Sequence, residues 1–169
     1  VNKTRTRILA IAGAILFVLM FAAVFFSRVH YVDPKPAVAF GDDYFLKLKQ
    51  SQIDDAFAMY TSGFLQKRGK FWQKIVGDLD AQAGRVTDFK VLGAQVAPVT
   101  LRDSTEIPCI LIQYQVTRSR LIFHENLTVC PNQGSEEFGI AGHEITRSDN
   151  GQHFAAGLTM QQETIFSTK

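Results

Sequence analysis

Residues 107–130, IPCILIQYQVTRSRLIFHENLTVC, decide the reading of this chain. Val, Ile, Leu, Tyr, Phe and Thr dominate two runs, 107–117 and 121–130, on either side of the polar Ser119-Arg120. Such residues favour a pleated, half-buried surface, so the runs are expected to be two strands of a hairpin. A turn centred on Ser119-Arg120 sets Ile110 opposite Val129, Ile112 opposite Leu127, Tyr114 opposite Glu125 and Val116 opposite Phe123. Alternate strand residues share a face, so these eight form one mostly apolar side. The other side pairs Leu111 with Thr128, Gln113 with Asn126 and Gln115 with His124. One register sorts both strands, and a slip by one residue would invert them.

The same register puts Cys109 opposite Cys130, and they are the chain's two cysteines. In an oxidising compartment such a pair can form a disulfide, and a bridge is expected here. The alternative is two reduced thiols buried in core strands. Zinc is disfavoured, since no spaced set of further ligands accompanies them.

Working outward, residues 86–99 and 138–147 also read as strands, giving four in all. Residues 37–83 read as helix in three pieces. The first carries Ala39, Phe40, Tyr44, Phe45 and Leu48. The second starts near Ser51, whose hydroxyl can cap it, and carries Ile53, Ala56, Phe57 and Tyr60. The third carries Phe71, Trp72, Ile75, Val76 and Leu79 and ends at Gly84, with Gly63 and Gly69 as punctuation.

The amino-terminal part is of another kind. Residues 8–26, ILAIAGAILFVLMFAAVFF, contain no polar or charged side chain. A helix of that length spans roughly 28 Å, the thickness of a bilayer's hydrocarbon core. It is longer than the apolar region of a cleaved signal peptide, and no small-x-small site follows closely, so an uncleaved transmembrane helix is expected. Lys3, Arg5 and Arg7 precede it, while Arg28 and Lys35 follow among Asp33, Asp42 and Asp43. Positive charge stays in the cytoplasm, so residues 1–7 are expected inside and the folded domain exported. The membrane expected is the bacterial inner membrane, with the domain in the periplasm. Residues 27–36, ending Asp33-Pro34-Lys35-Pro36, read as a short, stiff, extended spacer.

Beyond residue 28 the chain carries 14 Lys and Arg against 16 Asp and Glu. That balance excludes the strongly basic domain typical of a nucleic-acid binder. No phosphate loop, nucleophile triad or CxxC motif is present.

Helices followed by an antiparallel meander indicate an α+β domain. The element order, the Phe71-Trp72 pair on the third helix, Gly84, and a last strand Phe138-Gly139-Ile140-Ala141-Gly142-His143-Glu144-Ile145 resemble the nuclear-transport-factor-2-like superfamily over residues 37–147. Its relatives include the SnoaL and ketosteroid-isomerase types. The resemblance implies a cone-shaped domain, three helices packed on a curved, four-stranded antiparallel sheet, with residues 148–169 as an extension beyond it. It also implies that any chemistry uses polar groups lining the cone.

Tyr114 and Glu125 are the candidates for such a lining. A carboxylate in an apolar pocket can act as a general base. The simpler expectation is that Tyr114 hydrogen-bonds Glu125 near water. Continuing the meander with Phe138 opposite Val129 sets His143 against His124 on the outer face, with Glu144 pointing away, which gives no metal site. No cofactor is implied. The expected function is a non-enzymatic accessory or assembly subunit of a membrane protein complex, contacting other membrane subunits and the bilayer. The alternatives are a membrane-tethered module for a small apolar ligand and an isomerase or SnoaL-type enzyme.

Overall fold

A computed structural model describes residues 33–100, 106–132 and 137–157 of the chain. Among these, helices α1 (Lys35–Lys49), α2 (Ile53–Phe57) and α3 (Ser62–Ala83) precede strands β1 (Val86–Thr100), β2 (Glu106–Arg118), β3 (Ile122–Pro131), β4 (Phe138–Arg147) and β5 (His153–Gly157). The strands form one antiparallel sheet in the order β1-β2-β3-β4-β5.

This corrects the expected four-stranded cone. The sheet has five strands and outweighs the helices. The fifth strand lies in the segment that the sequence placed outside the domain, because Ala155, Ala156 and Gly157 carry little strand propensity. They are held instead by the β4 ladder, with Ala155 opposite Glu144 and Ala156 opposite His143. Among the described residues no helix is long and apolar enough to cross a membrane. The expected transmembrane helix, 8–26, lies outside the described residues, as do the tail 1–7 and residues 158–169.

Of the expected extended spacer, 27–36, residues 27–32 lie outside the described residues, and from Asp33 on the expectation is corrected. Asp33 Oδ1 accepts from Lys35 N–H at 3.0 Å, and α1 has begun by Lys35. Pro36 lies in the first turn, where its missing N–H has no intrahelical partner to lose and its fixed φ suits the helix. Helix α1 buries Ala37, Gly41, Tyr44, Phe45 and Leu48. It ends at Lys49, and just beyond it Ser51 has φ 63° while the N–H groups of Ser51 and Gln52 return to Leu48 O and Lys47 O. Ser51 therefore ends one helix rather than capping the next, and its hydroxyl accepts from Arg85 at 3.1 Å. Helix α3 starts earlier than expected, with Thr61 Oγ1 accepting from Phe64 N–H at 3.3 Å. It continues through Gly63 and Gly69 to bury Phe64, Trp72, Val76, Leu79 and Ala83. Gly84 ends it at φ 83°, where a Cβ would lie 2.6 Å from Ser119 Cβ.

In the sheet, β2 and β3 adopt the register read from residues 107–130, from Ile110 opposite Val129 to Val116 opposite Phe123. The inward side chains Ile110, Ile112, Tyr114, Val116, Phe123, Leu127 and Val129 are fully buried. Cys109 and Cys130 form a disulfide with Cα atoms 4.3 Å apart. That spacing matches a facing, non-hydrogen-bonded pair. The bridge packs with Ala141, Val99 and Ile107.

Between β3 and β4 the register shifts. Val129 faces Ile140 but Thr128 faces Gly142, leaving Ala141 as an extra residue. Beyond the end of β5, the edge of β4 is met by the turn before α3. Thr61 N–H donates to Ile140 O at 3.0 Å and Ile140 N–H to Met59 O at 2.9 Å.

Candidate functional site

The Ala141 bulge matters because it rotates the rest of β4. Phe138 pairs with Pro131 rather than with Val129 as expected, and in that register an unbulged strand would set His143 opposite Asn126 on the outer side of the sheet. With the bulge, His143 stands opposite Leu127 and points into the core. The expected histidine pair does not form. Glu144 stays on the outer side, accepting from Asn126 Nδ2 at 3.1 Å.

His143 joins a chain of buried polar groups. Its Nε2 lies 2.9 Å from Glu125 Oε2, and its Nδ1 lies 2.7 Å from the Tyr60 hydroxyl. Arg118 pairs with Glu125 Oε1 at 3.4 Å through Nη2 and with Asp80 Oδ1 through Nη1. The Arg118 guanidinium also stands 5.5 Å from the Phe123 ring centre. At the other end, Trp72 Nε1–H donates to the Tyr60 hydroxyl at 3.0 Å, and the Tyr44 hydroxyl lies 3.0 Å from it. The chain thus runs Asp80, Arg118, Glu125, His143, Tyr60, and there forks to Trp72 and Tyr44. It ties together α1, the turn before α3, α3 itself, and strands β2, β3 and β4.

The hydrogens can be placed by elimination. Burial acts most strongly on Glu125 and would raise its pKa. The hydrogen bond from His143 and the charge of Arg118 together outweigh burial and hold the carboxyl below its usual range. An ionised carboxylate only accepts, so His143 Nε2 donates. In the neutral imidazole Nδ1 then accepts from the Tyr60 hydroxyl, whose oxygen is left to accept from Trp72 and Tyr44. In that arrangement the hydrogens of Trp72 Nε1, Tyr44, Tyr60 and His143 all find acceptors. Arg118 Nε is the buried side-chain atom left without a partner among the described residues. Burial drives the phenol pKa values of Tyr44 and Tyr60 upward, so both stay protonated.

An imidazole held between a carboxylate and a hydroxyl is an arrangement suited to proton transfer. Here, however, Tyr60, His143 and Glu125 are 4%, 1% and 0% exposed. Rings fill the surroundings: Trp72 lies 5.1 Å and Tyr44 5.7 Å from the imidazole centre. No substrate atom can stand beside this imidazole without displacing the core.

Tyr114 and Glu125, the two residues singled out from sequence, face each other across the β2–β3 ladder. Their polar atoms nevertheless go to different partners, which corrects the expected bond between them. Tyr114 donates to Asp42 Oδ1 at 3.0 Å and lies 3.3 Å from Val38 O on α1. Burial, then the Asp42 charge, raises its pKa. Glu125 turns instead to Arg118 and His143. Sequence reasoning missed Arg118, although alternation continues from Tyr114 and Val116 to place it on the inner face. It missed Tyr60 and Trp72 as polar partners, since each reads as an apolar helix position.

A cleft of about 430 Å³ lies beside Tyr60, lined by Phe40, Ala58, Met59, Asn132, Glu137, Phe138 and Gly139. Phe40 and Phe138 approach with ring centres 6.1 Å apart. Comparison with protein-family models, with curated proteins and with solved structures finds no match for this chain.

Proposed function

We propose that this chain is a non-enzymatic accessory or assembly subunit of a membrane protein complex. In this reading residues 8–26 anchor it and its folded domain is exported, into the periplasm of a bacterial cell. The observation that carries the reading is the closure of the polar chain from Arg118 to Tyr44. The groups best suited to acid–base chemistry are bonded to one another, shut from solvent and used to join helices to sheet.

A second feature supports it. Strand β1 is an edge of the sheet, and between Val91 and Val99 it carries no charged residue. Val91, Leu92 and Val96 are exposed there. An edge strand with exposed apolar side chains suits contact with a partner's strand. Kinship with the nuclear-transport-factor-2-like superfamily is part of the proposal on the order of elements alone.

A photo-reactive residue at Leu92 or Val96, in intact membranes, is expected to cross-link one membrane subunit that also co-purifies in mild detergent. A chain that purifies alone and cross-links nothing overturns the reading. The cleft beside Phe40 and Phe138 favours a second reading, a membrane-tethered module for a small apolar ligand. Extraction of a stoichiometric lipophilic molecule from the purified chain would support that one instead.

A further inference from the structure

Between Asp55 and Asp78 the chain has no acidic residue, yet it carries Lys67, Arg68, Lys70 and Lys74. All four lie on α3: Lys67, Lys70 and Lys74 stand away from the stripe buried by Trp72, Val76 and Leu79, and Arg68, one turn from both Phe64 and Trp72, is half-buried at its border. At 3.6 residues per turn, Lys67 and Arg68 lie one turn before Phe71 and Lys74 one turn after it. Lys70 is its immediate neighbour. Phe71 was expected in the core from its apolar spacing, but it is 46% exposed, and Leu65 near the helix start is 37% exposed. Lys74 pairs with Asp78 at 3.4 Å, both largely in solvent, a contact too exposed to neutralise the cluster.

A single exposed aromatic is ordinary on a protein surface. A phenyl ring set among long cationic side chains on the outer face of a helix is a more specific arrangement. The lysine stems can lie along apolar surface while their ammonium groups reach outward to phosphates. We infer that this face of α3 docks on an anionic bilayer surface, with Phe71 entering the headgroup layer and Arg68, Lys70 and Lys74 contacting lipid phosphates. The chemistry is that of interfacial helices, whose apolar side enters the headgroup–acyl boundary while basic residues add electrostatic attraction. Each basic residue near such a surface contributes roughly fivefold to occupancy, so three together contribute roughly 100-fold. The inference rests on the membrane reading above only in that the anchor would keep the domain near a bilayer.

The test uses the full chain carrying Phe71→Cys labelled with a nitroxide, under conditions that keep Cys109 and Cys130 bridged. It is mixed with vesicles of phosphatidylcholine alone or with phosphatidylglycerol added. Flotation with both vesicle types reports anchoring, and flotation with the anionic vesicles alone reports surface docking without an anchor. Flotation with neither overturns both ideas. In chains that float, the expected result is a nitroxide that is open to oxygen and shielded from a water-soluble nickel chelate on anionic vesicles only. High salt, which shortens the reach of exposed charges, is expected to return it to water. Arg68→Gln, Lys70→Gln and Lys74→Gln combined are expected to lower the docked fraction roughly 100-fold while the disulfide stays intact. A nitroxide that stays in water on anionic vesicles, or enters both lipids alike, overturns the inference while leaving the anchor standing. Should the triple variant misfold, the salt titration on the labelled chain decides alone.

Discussion

Glu125 holds a negative charge where no water reaches it, and its stability depends wholly on Arg118 and His143. Glu125→Gln keeps the shape but removes the charge that both neighbours face. Breaking a buried ion pair from one side costs about 3–5 kcal/mol, a large share of a typical domain's stability. Denaturant unfolding in mild detergent measures it. The pH dependence has a definite sign. Glu125 is depressed in the fold, so its contribution is present above the unfolded carboxyl value of about 4.3 and is lost as pH falls through the lower folded value. The Gln variant should lack that acid limb. The two tyrosines offer a finer contrast. Tyr44→Phe removes the end of a branch and leaves Tyr60 still bonded to Trp72 and His143. Tyr60→Phe leaves Trp72 Nε1 and His143 Nδ1 without their partner. Unmet buried groups cost about 1–3 kcal/mol each, so Tyr60→Phe should be clearly the more damaging of the two. Equal losses would show that the bonds do not form a chain through Tyr60.

Among the elements, the seam between α1 and β2 shows how closely the backbone is fitted. A Cβ at Gly41 would stand 2.4 Å from the Tyr114 hydroxyl oxygen. Glycine there lets the phenol pass over the helix to Asp42 and Val38. Gly41→Ala is expected to cost about 1–3 kcal/mol through overpacking. Tyr114→Phe in the same chain should recover part of it, since the colliding atom is gone. A double-mutant cycle on unfolding free energies reads the coupling, and simple additivity would refute the contact. The same seam shows what the sequence could and could not reveal. The β2–β3 register was legible because two strands had to satisfy one alternation together, from Ile110 and Val129 to Val116 and Phe123. The bulge at Ala141 was not, since it leaves no mark among small residues, and it alone turns His143 from the surface to the core. β5 was hidden for a related reason, being an alanine and glycine stretch that is a strand only because β4 pairs with it. Glu125 was found by being polar on an apolar face. Its own partners, Arg118 and His143, came from two other strands, and long-range pairing of that kind has no local signature.

For the whole molecule, the Cys109–Cys130 disulfide links structure to location. Bridges of this type persist in oxidising compartments and are rare in the cytosol. The positive charge of Lys3, Arg5 and Arg7 ahead of residues 8–26 argues independently for an exported domain. The two arguments can be tested apart. A reporter fused after Lys169 should behave as exported, and mass spectrometry of native, unreduced peptides should find the bridge. An exported reporter with free thiols would break the redox argument alone. A cytoplasmic reporter with free thiols would reverse the orientation while leaving the fold intact, because the β2–β3 register does not depend on the bond. The bridge closes a loop of about 20 residues, worth roughly 3 kcal/mol in the chain-entropy model. For a domain of this size, reduction should therefore lower Tm by roughly 10 °C without unfolding the protein at room temperature. Thermal unfolding with and without reductant measures the difference. A reduced chain with unchanged Tm would show that the bridge adds no stability to a hairpin its register already holds, whereas collapse of the fold would show that the bond, and not the shared register, holds the hairpin.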